Sequence, residues 1–251
     1  FSVEDMIAEE DAVLTFTYKG YLKRTAAATY RSQRRGGRGL QGAKAKEEDF
    51  VEHLFVANTH DYILFFTDKG KCHWLKVHEI PPGGRAARGR AIVNLLGTVP
   101  GEKVKAFVSV KTFDEEKYIV MATRKGIIKK TKLSAYGKPR KGGIYAIDIR
   151  EGDELIEAKI TNGENDIVLG TREGKSIRFS ETDARPMGRK TRGVIGIKLS
   201  TKDDYVVGMV VVRREGTLLV ATEKGFGKRT EVIQYRIQKR SGKGVLAMRT
   251  N

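Results

Sequence analysis

The stretch YILFFTDKGKCHWLK, residues 62–76, contains the unit from which the fold is predicted. It joins a short apolar run to a T-x-K-G turn and a second, more polar run. A turn of the form T-x-[KE]-G after an apolar run occurs five times, and its glycines are 50, 56, 48 and 51 residues apart. A fixed period of this length is typical of repeat architectures. The turns lie at Thr17/Gly20, Thr67/Gly70, Thr123/Gly126, Thr171/Gly174 and Thr222/Gly225.

Two further landmarks keep the same register. A second glycine follows the turn glycine by 19 residues in four units and by 17 in the third, at Gly39, Gly89, Gly143, Gly193 and Gly244. An acidic turn then opens the next unit, at Asp49, Glu102, Asp153 and Asp203. These landmarks divide the single domain 1–251 into repeats of approximately 1–48, 49–101, 102–152, 153–202 and 203–251.

The short apolar runs predict an all-β fold. Runs such as YILFF (62–66) and YIVMA (118–122) read as strands covered on both faces. The runs after each turn, such as YLKRT (21–25), are expected to be the outer, partly solvated partners in hairpins. With the apolar segments after the acidic turn and the second glycine, each unit supplies about four strands, the number in a propeller blade. We therefore expect five four-stranded blades.

Composition sets outer limits on function. The chain has 251 residues and 39% hydrophobic content, and no apolar run approaches a membrane span. We expect a soluble protein with no membrane partner, beginning at a boundary inside a longer chain because initiator methionine and signal pattern are both missing. Cys72 is the single cysteine, which excludes an internal disulfide.

Positive charge recurs at one place in the repeat. The net charge is +17, from 48 basic and 31 acidic residues, which favours a polyanionic partner. The segment before each second glycine carries at least three cations. If the units surround an axis, these segments form a ring of positive charge.

The first of these segments is QRRGGRG, residues 33–39. Its three glycines allow the backbone to approach a phosphate closely while the N–H groups remain free to donate. Its three arginines add planar donors that suit phosphate oxygens, and Gln33 can donate from its amide. The heptad therefore predicts a phosphate-binding loop.

QRRGGRG resembles the gyrase A box, and the repeat, with its x-G-R-x-x-x-G second half (Gly84 to Gly89, Gly188 to Gly193), is similar to the C-terminal domain of the A subunit of bacterial DNA gyrase. The resemblance covers essentially the whole chain. It implies a β-pinwheel, a propeller-like disc whose blades exchange strands, which wraps duplex DNA around its basic edge with positive handedness. Gyrase would use this wrap to introduce negative supercoils, with little sequence specificity.

The resemblance also implies the setting of the domain. No catalytic residue and no cofactor are expected here, since strand breakage, ATP and Mg belong elsewhere in an ATP-dependent type IIA topoisomerase. The partners would be double-stranded DNA, the N-terminal part of gyrase A and gyrase B in an A2B2 enzyme. The location would be the bacterial cytoplasm, on the chromosome, and the isolated domain would be monomeric. The family usually has six blades, so a sixth in the parent protein and the closure of the ring stay open.

Two groups of DNA-binding residues are predicted. The gyrase A box comprises Gln33, Arg34, Arg35, Gly36, Gly37, Arg38 and Gly39. The rim comprises Lys23, Arg24, Arg85, Arg88, Arg90, Lys129, Lys130, Lys138, Arg140, Lys141, Arg178, Arg189, Lys190, Arg192, Lys228, Arg229, Lys239, Arg240 and Lys243.

Two alternative functions share the repeat. The equivalent domain of topoisomerase IV, which positions its substrate, typically has a degenerate box, and the intact heptad argues against it. A propeller used as a protein-interaction scaffold would not need cations in every rim segment.

Cofactor and metal sites are weakly supported. Gly37, Gly39 and Gly42 spell G-x-G-x-x-G, but the segment does not join a buried strand to a helix, as dinucleotide binding requires. Cys72, His73 and His78 lack a fourth ligand with zinc spacing, and adjacent strand residues point to opposite faces.

Overall fold

The computed structural model describes residues 2–30, 49–213 and 215–249. Within these ranges no helix is both long enough and apolar enough to cross a membrane. The regular elements are strands and short 3-10 helices. The strands are β1 Asp11–Thr17, β2 Tyr21–Ala26, β3 Val51–Asn58, β4 Tyr62–Thr67, β5 Lys71–Lys76, β6 Arg90–Ala91, β7 Val104–Val110, β8 Tyr118–Thr123, β9 Ile127–Lys132, β10 Ile144–Tyr145, β11 Leu155–Thr161, β12 Asp166–Thr171, β13 Lys175–Ser180, β14 Val194–Ile195, β15 Val206–Val212, β16 Thr217–Ala221, β17 Gly227–Glu231 and β18 Val245–Leu246.

The 3-10 helices are single turns that mostly follow the hairpins. Their bounds are Val3–Met6, Ala27–Thr29, Val77–Glu79, Ile92–Asn94, Leu133–Tyr136, Glu181–Asp183 and Val232–Gln234.

The strands form four four-stranded sheets and one two-stranded sheet. Their orders are β3-β1-β2-β6, β7-β4-β5-β10, β11-β8-β9-β14, β15-β12-β13-β18 and β16-β17. All named strand pairs are antiparallel. The all-β, propeller-like prediction is therefore confirmed. Among the described residues, the hairpin β16-β17 of the fifth unit has no flanking strands, while β15 and β18 of the same unit flank the hairpin of the fourth unit.

Strand exchange explains why no sheet coincides with one repeat. Each of the four larger sheets takes its central hairpin from one unit. The following unit supplies both edges, one through the strand after its acidic turn and the other through the two-residue strand after its second glycine. Neighbouring units are consequently joined by backbone hydrogen bonds as well as by side-chain packing.

In the four larger sheets the apolar run of the hairpin is buried on both faces. The equivalent run of β16, for which the sequence pattern predicts the same burial, is largely exposed. In β4, Ile63 and Phe65 belong to the core between the first and second sheets, whereas Leu64 and Phe66 belong to the core between the second and third. All four side chains are fully buried. Because consecutive strand residues face opposite sides, burial of both faces requires an uninterrupted apolar run.

The second strand of the hairpin is more buried than the sequence predicted in β2 and β9. The residues after each turn were expected to be partly solvated, yet Leu22, Lys23 and Thr25 of β2 are buried, as are residues 128–131 of β9. The expectation was wrong for these two strands because the short strand and the basic loop of the following unit cover this side of the hairpin, whereas β17, which pairs only with β16 in the described part of the chain, is exposed.

The sheets are arranged with one edge inward and the other outward. Phe55 of β3 packs on Phe107 of β7 with ring centroids 5.5 Å apart, and β11 contacts both β7 and β15. The edge strands β3, β7, β11 and β15 therefore lie next to one another at the inner side. The two-residue strands β6, β10, β14 and β18 form the opposite edge, so the basic loops that precede them lie at the outer edge.

Three of the four acidic turns cap a neighbouring hairpin with a carboxylate. The Oδ1 atoms of Asp49, Asp153 and Asp204 accept hydrogen bonds from turn N–H groups of Lys19, Lys125 and Glu173, at 2.9, 2.9 and 3.0 Å. The cap in the last case is Asp204, not Asp203, which the repeat pattern indicated. Carboxylates that accept backbone N–H bonds fix such turns.

We expect Asp204→Ala to lower the free energy of unfolding by about 1–3 kcal/mol, because it leaves two N–H groups without their acceptor. Asp204 is buried and also accepts a 2.9 Å bond from the Tyr205 N–H. Urea denaturation followed by circular dichroism measures the change. Asp203→Ala is the matched control, since Asp203 is exposed and should change stability by less than about 0.5 kcal/mol. Equal losses in the two variants would contradict the capping role.

Candidate nucleic-acid interface

Four described loops at the outer edge carry a single sign of charge. They comprise residues 81–90, 137–143, 185–193 and 236–244, and together contain 14 Arg or Lys and no Asp or Glu. We call them the rim loops. The remaining predicted basic segment, which belongs to the first unit and contains the gyrase A box Gln33 to Gly39, lies outside the described residues.

Each rim loop crosses directly over the hairpin of the preceding unit. At Gly89, φ is +91°, and an added Cβ would lie 2.6 Å from the carbonyl oxygen of Leu22. The equivalent Gly143, Gly193 and Gly244 also have positive φ and make the same approach to a backbone oxygen of the preceding hairpin. The second glycine of the repeat is therefore required for close contact between loop and hairpin as well as for turn geometry.

The loop 81–90 is held by the side chains of β2. The Nζ atom of Lys23 donates to the carbonyl oxygens of Gly84, Arg85 and Ala87 at 3.0, 2.5 and 3.0 Å. The Oγ1 atom of Thr25 donates to the Gly83 carbonyl at 2.9 Å. Burial lowers the pKa of Lys23, since a charged ammonium is less stable away from water.

The loop 185–193 is held in the same way by β9. The Nζ atom of Lys129 donates to the carbonyl of Arg189 at 2.6 Å and to that of Ala146. Lys129 is fully buried. Burial, with a smaller contribution from the Arg189 guanidinium, lowers the pKa of Lys129 to about 7.

Three further predicted rim cations are bonded inside the protein. Arg24 donates to the carbonyl of Ile80 at 3.0 Å. Lys130 is buried and pairs with the carboxylate of Glu181 at 3.2 Å. Arg178 pairs with Asp166 at 2.8 Å and donates to a carbonyl of the 3-10 helix Val232–Gln234.

The structure therefore corrects the predicted rim at these positions. Lys23, Lys129 and Lys130 were expected on a solvent-facing rim, but they lie beneath it, with Arg24 and Arg178 half-buried beside them. The pattern in the sequence is local, whereas the loop that covers each side chain comes from about 60 residues further along the chain, as the Lys23 to Arg85 separation of 62 shows.

Neighbouring rim loops are connected by arginines. The NH1 atom of Arg189 donates to the Tyr145 carbonyl at 3.1 Å, and that of Arg240 donates to the Ile195 carbonyl at 2.7 Å. Both arginines stand four residues before a second glycine, and both acceptors stand two residues after the preceding one. The equivalent geometry indicates that these two arginines join successive loops along the outer edge.

The remaining rim-loop cations, apart from Arg85, are exposed to solvent. Arg88 is exposed and its guanidinium carbon lies 3.7 Å from the centre of the Tyr21 ring, which restricts its orientation. Arg192 forms an exposed pair with Asp148 at 3.0 Å, a contact that contributes little in water. The other exposed predicted cations in the rim loops are Arg90, Lys138, Arg140, Lys141, Lys190, Lys239 and Lys243.

Arg85 is half-buried, and its NH1 atom has no hydrogen-bond partner in the described part of the chain. Lys228 and Arg229 of β17 are exposed, unlike their counterparts in β2 and β9. Direct contact between these predicted residues and DNA stays a prediction. Sequence reasoning missed Thr25 and Tyr21, whose only signal is their position beside the basic residues of β2.

Cys72 and His73 of β5 are both buried in the protein interior. Burial raises the pKa of the Cys72 thiol well above its usual range. His73 is also buried, and its Nε2 atom lies 3.2 Å from Glu102 Oε1. Among the residues that the structure describes, no group of three or more His, Cys, Asp or Glu side chains could hold a metal ion.

An array of exchanged β-sheets with a uniformly cationic outer edge defines a class of proteins suited to an extended polyanion. The sequence matches a family model described as "DNA gyrase C-terminal domain, beta-propeller" over residues 11–58, 61–111, 117–162, 165–213 and 216–251. The chain therefore belongs to the DNA gyrase C-terminal domain family.

Individual relatives agree with this membership. The chain is 51% identical over 249 residues to the DNA gyrase A protein of Clostridium acetobutylicum, covering 99% of the chain and 30% of that protein. A solved DNA gyrase A C-terminal domain is similar with a TM-score of 0.78 and 25% identity, over 94% of this chain and 76% of that one. The solved C-terminal domain of a DNA topoisomerase IV is similar with a TM-score of 0.77 and 28% identity, over 96% of this chain and 73% of that one. The chain spans about 30% of the length of the curated relatives.

Proposed function

We propose that the chain binds double-stranded DNA along its outer edge and wraps it with positive handedness, so that a gyrase can introduce negative supercoils. The observation that carries the proposal is the charge of the rim loops, with 14 cations and no carboxylate at equivalent places of successive units. Phosphates of a duplex offer matching negative charge at every base pair.

The distribution of the cations suits a bent duplex. Bending a site of 20–30 base pairs costs on the order of 1–6 kcal/mol, so contacts have to be spread along the bend. The rim loops repeat with the units, and each one presents exposed Arg or Lys side chains. Contacts of this kind bind the phosphates and carry little sequence information.

The domain acts as one part of a larger enzyme under this proposal. It would be joined to the N-terminal part of gyrase A and would work with gyrase B in an A2B2 assembly in the bacterial cytoplasm, on the chromosome. Cleavage of the strands, ATP and Mg would belong to those other parts, and the isolated domain would be a monomer without a cofactor.

The sequence of residues 33–39 supports gyrase over topoisomerase IV. The two solved folds resemble this chain almost equally, so the fold does not separate them. The intact heptad QRRGGRG adds three arginines and three glycines to the first unit. This is the feature by which we assign supercoiling rather than substrate positioning alone.

Salt dependence tests the proposal. If each of five loops neutralises about two phosphates, the slope of log K against log salt for a long duplex should be about −9. Binding should weaken by about 10⁵-fold between 50 and 200 mM salt. Fluorescence anisotropy or filter binding at several salt concentrations gives the slope.

Acidic peptides of matched charge serve as the comparison. A protein-interaction scaffold would bind such a peptide as well as the duplex, whereas a wrapping surface should prefer a duplex and gain affinity with its length. A slope near zero for the long duplex, or equal affinity for the peptide, would overturn the proposal.

A further inference from the structure

Lysine stands three residues after the turn glycine in three units, but in different surroundings. Lys23 and Lys129 are buried under the rim loop of the following unit, at 2% and 0% exposure. Lys228 has the same position in the repeat and is exposed. The effect of the covering loop can therefore be compared at one repeat position, between a lysine that is covered and a lysine that is not.

Lys23 is not placed to bind a phosphate itself. Its ammonium group has three N–H donors, and the carbonyls of Gly84, Arg85 and Ala87 accept all three. A phosphate oxygen would have to displace one of these buried bonds. The charge of Lys23 is instead used to bring three carbonyl oxygens of one loop together.

The convergence of these carbonyls fixes the path of the loop. The Gly83 carbonyl is held as well, by Thr25, and the Gly83 N–H donates to the Arg24 carbonyl at 2.9 Å. Four carbonyl groups within five consecutive residues of the loop are thus bound to side chains of β2. Immediately beyond them Arg88 and Arg90 are exposed at the outer edge.

We propose that Lys23 is a positioning residue for DNA binding, which holds the loop 81–90 so that Arg88 and Arg90 face the duplex. This inference rests on the proposed function. Lys129 has the equivalent role for the loop 185–193, through its bond to the Arg189 carbonyl. The second hairpin strand of one unit, β2 or β9, therefore organises the phosphate contacts of the next unit, and it does so without touching DNA.

The main test is Lys23→Met, measured by binding to a long duplex at several salt concentrations. Loss of one direct phosphate contact would change the slope of log K against log salt by about 0.9, but loss of both Arg88 and Arg90 contacts would change it by about 1.8. We expect the larger change. Lys228→Met, which removes the same charge from the same repeat position, should change the slope by no more than about 0.9.

Thr25→Val provides a variant without a change of charge. It removes only the hydrogen bond to the Gly83 carbonyl, so a rim of independent charges would bind DNA with an unaltered slope. The positioning role predicts a smaller slope and weaker binding. This variant also keeps the test decisive should Lys23→Met unfold, which circular dichroism and urea denaturation of each variant would reveal.

A double-mutant cycle completes the experiment. In a background of Arg88→Ala and Arg90→Ala, Lys23→Met should cause little further loss of affinity, because the contacts that it positions are already absent. Additive losses, or an unaltered slope in Thr25→Val, would overturn the positioning role while leaving DNA binding intact. A wild-type slope near zero would overturn the proposed function and, with it, this inference.

Discussion

Negative supercoiling is expected to fall sharply when residues 33–39 are replaced by alanine in the complete enzyme, while the fold remains. The replacement removes three guanidinium groups and the three glycines that let the backbone donate to phosphate. Three lost phosphate contacts alone weaken binding at 0.1 M salt by about 10²–10³-fold. Supercoiling of relaxed circular DNA by the reconstituted enzyme measures the effect, and circular dichroism checks the fold.

The matched control removes the same number of cations from another loop. Lys138→Ala, Arg140→Ala and Lys141→Ala together delete three exposed charges but leave Gly142 and Gly143 in place. We expect this variant to bind DNA less tightly and to keep most of its supercoiling, because its backbone donors remain. Normal supercoiling in the heptad variant, or an equal loss in the control, would refute a special role for residues 33–39.

The second large effect is expected when six exposed rim cations are exchanged for glutamine. If each contacts one phosphate, affinity for a long duplex at 0.1 M salt should fall by about 10⁵-fold, and the salt slope should change by about 5.4. The curves of the variant and the wild type should converge near 1 M salt, since the loss is one of counterion release. The positions are Arg88, Lys138, Lys141, Lys190, Lys239 and Lys243.

An equal charge change elsewhere separates rim contacts from net charge. Six exposed lysines on the hairpin turns and the connections between strands can be exchanged instead, with much smaller consequences for the slope. Loss of affinity to the same degree would mean that overall charge, not the rim, holds DNA. The control positions are Lys69, Lys111, Lys117, Lys125, Lys202 and Lys224.

Much of the fold follows from local patterns. The period of the T-x-[KE]-G turn gives the number of hairpins, and uninterrupted runs such as YILFF indicate strands buried on both faces. In the four units where the structure describes it, the second glycine marks the place where the loop crosses the preceding hairpin at positive φ. These features can be predicted from the sequence because the local structure restricts the residue type at each of these positions.

The candidate site was harder to predict from the sequence, because the exposure of each side chain depends on distant parts of the chain. Lys23 and Lys228 have nearly identical surroundings in the sequence, as KRT follows the turn in both units, yet one is buried and the other exposed. The difference is the presence of a covering loop from the following unit. Likewise, Asp203 and Asp204 differ only in which carboxylate reaches the hairpin turn. Neither distinction has a local signature.

The exchange of strands between units limits how this array can be shortened or lengthened. A cut at any boundary between repeats separates a hairpin from both of its flanking strands, so a truncated chain ends in a sheet with two open edges. An engineered extra blade would have to be inserted as a segment that begins and ends within a hairpin. Only then would the strand pairing at each junction be preserved. Circular permutants that open the chain inside an acidic turn should fold less well than permutants that open a T-x-[KE]-G turn, whose two strands remain adjacent.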